Sequence, residues 1–394
     1  ILNCHLAPGR IGRAGMGPFS LTGQPNAMGG REVGGLSNQL AAHMTFTQDA
    51  IARVGRFWQS PGMAAEPGFK AVDLFEAVGD GRIKAIWIAA TNPADSMPRA
   101  GDVREALSRC PLMIAADCWP TDTTRLAHVV LPAAGWAEKD GTVTNSERCI
   151  SRQRAFRAAP GQARPDWWMF TEVGRRMGWA DAFDYAGPAD IFREHAALSA
   201  FENGGARLFN LGALADMDDA AYDALAPVQW PLPRPGQGIS GQRLFARGGF
   251  STPDGRARMI PLTPRARDGQ ADFPLTLNTG RIRDQWHTMT RTGRVPHLMT
   301  HVAAPSLALH PRDAAPRGIV ERGLVLVESE QASVVMRATL DEGVRPGDVF
   351  APMHWTDQFA SSGPVDRLVH AVTDPVSGQP DLKGTSVRVS GLAE

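Results

Sequence analysis

The sequence predicts an α/β fold: a parallel, Rossmann-like sheet covered by helices, followed by a small β-barrel. Two observations lead to this prediction. Between residues 71 and 132 short apolar runs alternate with helical segments, and that order favours parallel strands with crossover helices. After residue 274 the hydrophobic period shortens to two and the apolar runs become brief, as they do in compact barrels.

The elements of the parallel layer follow in chain order. Apolar runs at 85–90 and 111–116 predict buried strands, a third apolar run at 127–132 predicts another strand, and residues 71–78 and 101–109 predict helices before and between them. A further amphipathic helix is predicted at 165–177. The period-two segments 275–278, 323–328, 333–340 and 348–351 predict barrel strands. Proline and glycine are dense from 226 to 274, so we predict two domains, 1–269 and 270–394.

Composition excludes several classes of protein. The 41 Lys and Arg residues balance 41 Asp and Glu residues, which argues against a dedicated nucleic-acid-binding protein. No apolar run approaches the length of a membrane span, so none is predicted. The four cysteines have neither zinc-site spacing nor the density of a disulfide scaffold, and no residue is predicted to bind a metal directly.

Polar residues follow the first two predicted strands. Asn92 comes after the first strand, and Asp117 follows Ala116 at the end of the second. Ligands of open parallel sheets bind outside the carboxyl ends of the strands, where these side chains could contact a nucleotide base or ribose. Asn92 and Asp117 are equally suited to be turn and helix-cap residues. Both interpretations remain open from the residues alone.

A cationic segment follows the first predicted barrel strand. Arg281, Arg283, Arg291 and Arg294 lie within it, and Asp284 is its only acid. Arginine binds phosphate bidentately, Gly280 permits close backbone approach, and Trp286 could cover a planar ring. A solvated basic loop is the alternative, but the tryptophan and the strand-then-glycine context favour an anionic cofactor. P-loop and Gly-x-Ser-x-Gly motifs are absent, which argues against P-loop nucleotidases and hydrolases of the nucleophile-elbow type.

Residues 17–35, GPFSLTGQPNAMGGREVGG, resemble bacterial assimilatory nitrate reductases of the molybdopterin oxidoreductase superfamily. The resemblance continues in the same order through residues 86–93, 132–147, 278–301 and 374–383. It implies a double-psi type of barrel and a molybdenum held by two molybdopterin guanine dinucleotides. Nitrate would be reduced to nitrite by oxygen-atom transfer in the cytoplasm, with electrons from a donor protein or subunit.

The resemblance also implies roles for individual residues. Gln24, Met28 and Arg31 are candidates for the substrate pocket, and no catalytic residue is assigned. The expected cofactor contacts combine strand-end residues, two residues of the middle region, one continuous segment and a lysine near the end: Asn92, Ala116, Asp117, Lys139, Asp166, Asn278, Thr279, Gly280, Arg281, Ile282, Arg283, Asp284, Gln285, Trp286, His287 and Lys383.

Two departures from the family pattern matter. Asp366 stands where many members have asparagine, and a carboxylate would repel a pyrophosphate, so Asp366 is left out of the expected contacts. The family's iron–sulfur cysteines belong to its amino-terminal half, and none of the four cysteines here fits that motif. We therefore expect this chain to correspond to the carboxy-terminal part, with a [4Fe-4S] cluster elsewhere and no nitrate reduction by residues 1–394 alone.

Two alternative functions remain at this stage. A formate dehydrogenase or a respiratory nitrate reductase would share the same scaffold, although residues 24–31 favour nitrate. A non-catalytic chain could use the scaffold for subunit assembly alone. Retention of Lys139 and of the Thr279-Gly280-Arg281 segment argues against that second alternative.

Overall fold

The computed structural model describes residues 1–236, 243–263 and 270–392. The predicted boundary at 269/270 adjoins residues 264–269, which lie outside the described residues, so this division of the chain stays a prediction. The α-helices are, in chain order, α1 (Leu2–Leu6), α2 (Ala27–Glu32), α3 (Gln48–Trp58), α4 (Ala71–Gly79), α5 (Pro93–Ser96), α6 (Ala100–Arg109), α7 (Asp122–Arg125), α8 (Asp166–Arg176), α9 (Pro188–Ala200), α10 (Asp219–Asp223), α11 (Pro296–Met299) and α12 (Pro311–Ala314). The strands are β1 (Ala85–Ala89), β2 (Leu112–Asp117), β3 (Val129–Pro132), β4 (Gly141–Thr144), β5 (Cys149–Gln153), β6 (Val228–Gln229), β7 (Leu275–Gly280), β8 (Ser306–Leu309), β9 (Leu324–Glu328), β10 (Ser333–Leu340), β11 (Asp348–Pro352) and β12 (Thr385–Gly391). Short 3₁₀ turns lie at Trp136–Glu138, Asp181–Phe183, Gly212–Leu214, Thr292–Arg294, Ala315–Arg317 and Val365–Arg367.

The chain forms two compact units, and each is assembled from two separate stretches. The first unit comprises residues 1–68 and the described part of 135–264. The second comprises residues 69–134 and the described part of 265–394. The parallel layer and the barrel therefore belong to the same unit, although the 142 residues from 133 to 274 separate β3 from β7 along the chain.

The parallel layer of the second unit has the strand order β1-β2-β3. Its register places Ile88 beside Ala115, and Ala115 beside Val130. Helices α4 and α6 pack together beside it, and their apolar faces share a core with the strands that contains Phe75, Ile88, Val103, Leu107 and Met113. This confirms the predicted parallel α/β layer.

The barrel is closed, with the strand order β10-β8-β11-β7-β12-β9. Alternate side chains of each strand point inward, as Leu275, Leu277 and Thr279 do on β7, because successive residues of a strand face opposite sides. The four predicted barrel segments all form strands. Strands β8 and β12 complete the closure and were not predicted.

The first unit contains an antiparallel sheet in the order β4-β5-β6. Its core joins aromatic and aliphatic residues of several elements, including Ile150, Phe192, Phe209 and Trp230. The predicted amphipathic helix at 165–177 is present as α8, whereas α3, α9 and the three strands were not predicted. Within the part of the chain that the structure describes, no helix is long and apolar enough to cross a membrane.

Candidate functional site

The candidate site of the second unit lies at the carboxyl ends of β1 and β2, where the segment after β7 joins them. Arg294 from this segment stacks on the ring of Trp119, two residues beyond β2, at 4.4 Å from the guanidinium carbon to the ring centre. Arg291 contributes positive charge beside Asp117 and Cys118. The structure thus brings together two features that the sequence predicts separately, the strand ends and the cationic segment.

Asn92 is 7% exposed, and its amide is engaged by the protein. Nδ2 donates to Asp95 Oδ2 at 2.7 Å and to Thr288 Oγ1 at 3.1 Å, while Oδ1 accepts from the hydroxyl and the backbone N–H of Thr123 at 2.6 and 3.2 Å. Asn92 also precedes α5 as its N-cap residue. The Asn92 side chain makes no capping hydrogen bond to α5; it instead joins Asp95 of α5, Thr123 of α7 and Thr288 of the segment after β7.

Ala116 and Asp117 end β2. The Ala116 carbonyl accepts from the backbone N–H of Ala90 at 2.8 Å, and Asp117 Oδ1 accepts from that of Trp119 at 3.1 Å. Burial raises the pKa of Asp117 above its usual value, although hydrogen bonds from the following backbone and the nearby charge of Arg291 oppose the shift. Asp117 therefore fixes the turn after β2 and remains a partly buried acceptor beside a cation.

Gly280 lies at the end of β7, where the chain leaves the barrel. A Cβ at this position would lie 2.8 Å from the Phe350 ring, so any larger residue would force the ring or the backbone to shift. Lys383 Nζ donates to the carbonyl of Thr279, and the Thr279 hydroxyl donates to the Leu382 carbonyl at 2.9 Å. Asn278 and Lys383 line one open cleft at this barrel edge. Four predicted residues, 278–280 and 383, are therefore adjacent in space.

The segment after Gly280 is oriented by a buried histidine that sequence reasoning missed. His354 is fully buried; its Nε2 accepts from the backbone N–H of Ile282 at 2.9 Å, and its Nδ1 faces the His287 carbonyl at 2.6 Å. An amide can only donate and a carbonyl can only accept, so the ring is neutral with its proton on Nδ1. Burial lowers the pKa of His354, which agrees with a neutral ring. No local sequence signal links positions more than sixty residues apart.

Within the segment, Arg281 is exposed and lies over the Trp286 ring, 5.4 Å from its centre. Asp284 pairs with Arg283 Nε at 2.9 Å and with His301 Nδ1 at 2.5 Å, and these partners lower its pKa to about 2. Burial and the charge of Arg281 lower the pKa of His287. Gln285 is buried, with Nε2 donating to the Leu298 carbonyl at 3.2 Å. Arg281 is thus presented outward, while Asp284 and Gln285 shape the loop.

Asp366 is buried in the second unit at 2% exposure, and its Oδ1 has no hydrogen-bond partner. Burial, reinforced by the negative charge of Asp95 and opposed by Lys383, raises its pKa to about 7. The side chain is therefore substantially protonated near neutral pH, so it repels an anion less than a free carboxylate would.

The first unit holds the remaining predicted residues. Lys139 Nζ contacts Asp166 Oδ2 at 2.6 Å, so these two expected contacts form an ion pair. The other carboxylate oxygen of Asp166 is buried without a partner, which leaves an acceptor for an N–H or hydroxyl donor. Gln24 and Arg31 are exposed, and Met28 is partly buried against the core of this unit.

The residues present fit an anionic dinucleotide. Exposed guanidinium groups beside aromatic rings match a pyrophosphate and a planar base, and the glycine at 280 lets the backbone lie close to the barrel edge. Among residues 1–236, 243–263 and 270–392, no cluster of three or more His, Cys, Asp or Glu side chains is arranged to hold a metal ion.

Two family models match this chain. The family model described as Molybdopterin oxidoreductase matches residues 1–176, and the Molydopterin dinucleotide binding domain matches residues 275–386. A nitrate reductase of Klebsiella oxytoca is 51% identical over 99% of this chain and 45% of its own length. The assimilatory nitrate reductase catalytic subunit of Bacillus subtilis is 32% identical over 98% of this chain and 54% of its own length.

More distant relatives extend the comparison. The alpha subunit of an F420-dependent formate dehydrogenase of Methanocaldococcus jannaschii is 30% identical over 99% of this chain and 55% of its own length. The acetylene hydratase structure from Pelobacter acetylenicus has the same fold, with a TM-score of 0.62 and 17% identity over 80% of this chain and 46% of that one. The chain spans about half the length of the curated relatives it matches. With both family models matched and the dinucleotide-binding model covering most of the barrel, the chain belongs to the molybdopterin oxidoreductase family.

Proposed function

We propose that this chain is the cofactor-holding part of a molybdenum-dependent nitrate reductase of the assimilatory type, with a bis(molybdopterin guanine dinucleotide) molybdenum centre. One observation carries the proposal: the cationic segment and the end of β2 converge, with Arg281 over Trp286 and Arg294 over Trp119. Cations that neutralise a pyrophosphate and rings that stack on a base are what a guanine dinucleotide requires. The 51% identity to a protein named nitrate reductase supports nitrate as the substrate.

Each residue group has a distinct task in this proposal. Arg281 and Arg294 bind phosphate oxygens, and Gly280 lets the chain pass close to Phe350 of β11 just before Arg281. His354 holds the loop that presents Arg281, since it binds both Ile282 and the His287 carbonyl. Lys139 and Asp166 of the first unit would contact polar groups of a nucleotide through the free acceptor of Asp166. Arg31 would bind the nitrate anion, with Gln24 as a polar neighbour.

The bound molybdenum centre supplies the two-electron chemistry that removes one oxygen from nitrate. The reaction consumes nitrate, two electrons and two protons, and releases nitrite and water. The electrons must come from a donor protein or subunit. We further propose a [4Fe-4S] cluster in the rest of the longer protein and a cytoplasmic location; iron and sulfide analysis and cell fractionation would test these two points.

A formate dehydrogenase is the second candidate, because relatives with that name match nearly the whole chain at 30% identity. The two reactions can be separated directly. Full-length protein from a molybdenum-cofactor-producing host should contain molybdenum and guanine nucleotide, and should form nitrite from nitrate with reduced viologen. Formate-dependent reduction of the oxidised dye, without nitrite formation from nitrate, would replace the first candidate by the second.

The same preparation tests the assembly alternative. A scaffold that serves only subunit assembly should contain neither molybdenum nor guanine nucleotide. If the preparation reduced nitrate but contained no guanine nucleotide, the proposed reaction would stand and the proposed dinucleotide form of the cofactor would be wrong.

A further inference from the structure

Helix α2 of the first unit holds two of the substrate-pocket candidates, Met28 and Arg31, within six residues. A helix this short has little stability of its own, since nucleation is costly and only a few hydrogen bonds repay it. Its orientation must therefore come from tertiary contacts. The residues that make these contacts determine where Arg31 points.

Thr144, the last residue of β4, binds both ends of α2. Its backbone N–H donates to Oδ1 of Asn26, the residue that precedes the helix, at 2.8 Å. Its hydroxyl donates to Oε2 of Glu32, the last residue of the helix, also at 2.8 Å. Thr144 is 3% exposed and Glu32 is 2% exposed, so the bond between the Thr144 hydroxyl and Glu32 is shielded from water. Thr144 thus attaches both the start and the end of α2 to β4.

Glu32 is 2% exposed and has a second donor, Trp230 Nε1, at 2.7 Å from Oε1. His195 Nε2 lies 3.9 Å from Oε2. A buried carboxylate is costly unless donors compensate its lost hydration, and here two neutral donors bind its two oxygens. Arg31, its neighbour along the helix, is exposed. The buried Glu32 therefore sets the rotation of α2, and this rotation sets the direction of Arg31.

The backbone around α2 leaves it little room to shift. A Cβ at Gly34 would lie 2.7 Å from the backbone nitrogen of Ala41, and one at Gly35 would lie 2.7 Å from the carbonyl oxygen of Gly30. Ala42, which donates from its N–H to the Glu32 carbonyl at 2.7 Å, has a left-handed φ of 57°, as has His43. Left-handed φ values at consecutive non-glycine residues are strained and persist only where neighbouring structure enforces them.

We propose that Thr144 and Glu32 are positioning residues that clamp α2, and that this clamp holds Arg31 in the direction needed to bind the substrate oxyanion. The inference rests on the proposed function for the identity of that oxyanion, nitrate. The clamp itself rests on the contacts of Thr144, Glu32 and Trp230. Neither Thr144 nor Glu32 needs to touch the substrate.

The test uses the full-length holoenzyme with Thr144→Val, which keeps the size and the backbone N–H but loses the hydroxyl. Thr144→Ser is the conservative variant that restores the hydroxyl. Thr171→Val is the matched control, because Thr171 is equally buried in the same unit but lies on α8. Two quantities are measured: hydrogen–deuterium exchange of peptides covering residues 26–33, and the split between KM and kcat for nitrate.

Thr144→Val should speed exchange in the α2 peptides and raise KM for nitrate by up to about tenfold, because part of the free energy of one hydrogen bond to a charged group is then used to reorient α2. The kcat and the molybdenum content should stay within about twofold of the wild type, since the clamp acts on binding alone. Thr144→Ser and Thr171→Val should resemble the wild type in both measurements. Glu32→Gln, which keeps the shape and can reorient its amide to both partners, should change KM less than Glu32→Ala.

Unchanged exchange at residues 26–33 in Thr144→Val would show that the hydroxyl does not clamp the helix. Faster exchange with an unchanged KM would show that the orientation of α2 does not govern substrate binding. Either result overturns the inference. A wild-type holoenzyme that fails to reduce nitrate would overturn the proposed function instead, and the exchange measurement would still decide whether the clamp exists.

Discussion

At the residue scale, burial determines which acids of the second unit stay ionised. Asp284 is held as a carboxylate by Arg283 and His301, and its pKa falls to about 2. Asp366 lacks a cationic hydrogen-bond partner and is buried, so its pKa rises to about 7. Residues of the same type, less than 100 positions apart, therefore differ in charge near neutral pH because of their surroundings.

This difference predicts how stability depends on pH. Below the ordinary aspartate pKa of 3.8, Asp366 is protonated in both the folded and the unfolded chain. As pH rises from 3.8 toward 7, Asp366 ionises in the unfolded chain but stays protonated in the folded chain, so the folded state loses stability. Above a pH of about 7, Asp366 is ionised in both states and the loss no longer grows. Asp366→Asn removes this cost. Its stabilisation should grow from near zero at pH 4 to at most about 4 kcal/mol above pH 7.

Thermal unfolding of the full-length protein between pH 4 and pH 8 measures this trend. Asp374→Asn is the control of opposite sign: Asp374 is exposed, accepts from the Ser377 backbone N–H at 2.6 Å, and has a lowered pKa. The ionised Asp374 carboxylate stabilises the folded state at pH values above the pKa that Asp374 has in the unfolded chain. Asp374→Asn should therefore not increase stability at high pH. If the difference in stability between the wild type and Asp366→Asn were the same at every pH, Asp366 would not have a raised pKa in the folded chain.

Arg281→Ala tests the cofactor contact. We expect a loss of about 1.5–3 kcal/mol of binding free energy, the value of a hydrogen bond to a charged group, because the guanidinium is exposed beside Trp286. This loss of binding free energy is measured by the amounts of molybdenum and guanine nucleotide that the full-length enzyme retains after dialysis. Arg388→Ala, which removes a comparable stack on Phe273 at 5.7 Å elsewhere in the second unit, is the control. Equal retention by the two variants would refute the contact.

At the scale of single elements, β7 has two roles: it helps to close the barrel, and it ends at Gly280, just before the cationic segment of the candidate site. It pairs with β11 in parallel, and that register places Gly280 beside Pro352. Gly280→Ala would bring Cβ to 2.8 Å from the Phe350 ring, so we expect about 1–3 kcal/mol of destabilisation from overpacking. The denaturation midpoint of the variant measures this cost.

Two further variants make the Gly280 test specific. Phe350→Leu in the Gly280→Ala background should recover part of the lost stability, because it removes the ring atoms that clash. Gly101→Ala on α6 has no atom within 4 Å of the new Cβ and should gain up to about 1 kcal/mol. If Gly280→Ala behaved like Gly101→Ala, the close packing against Phe350 would be wrong.

The same elements show what the sequence could predict. β1 and β2 are continuous apolar runs between turn residues, and β10 alternates over eight residues, so local pattern was sufficient. β6 is only two residues long and provides no usable period, whereas β8 and β12 were not predicted although buried and less buried residues alternate along them. The cationic segment was found from composition. His354, which anchors this segment, and Thr123, which binds Asn92, were not predicted. Their contacts depend on the fold and not on spacing along the sequence.

At the scale of the whole molecule, the second unit is built from distant parts of the chain. Hydrogen bonds join residues 69–134 to the barrel region: Arg99 N to the Val369 carbonyl at 3.1 Å, Asn92 to Thr288 at 3.1 Å, and Gln358 to the Pro120 carbonyl at 3.1 Å. Arg104 adds an ion pair with Asp357. A linear division of the chain near residue 270 separates these partners, and periodicity has no way to indicate that they belong together.

These contacts predict how parts of the chain fold when separated. Residues 69–134 joined through a flexible Gly/Ser linker to residues 270–394 should unfold in one transition, since layer and barrel share the contacts of Arg99, Asn92 and Arg104. Residues 270–394 alone should unfold at a lower denaturant concentration, because Asp357, Thr288 and Val369 lose these partners. Arg104→Ala in the joined chain should give an intermediate midpoint, because Asp95 and Asp357 both lose their shared cation. Equal midpoints for the joined chain and the barrel region alone would mean that the barrel folds independently and that the domain division near residue 270 describes the folding units better.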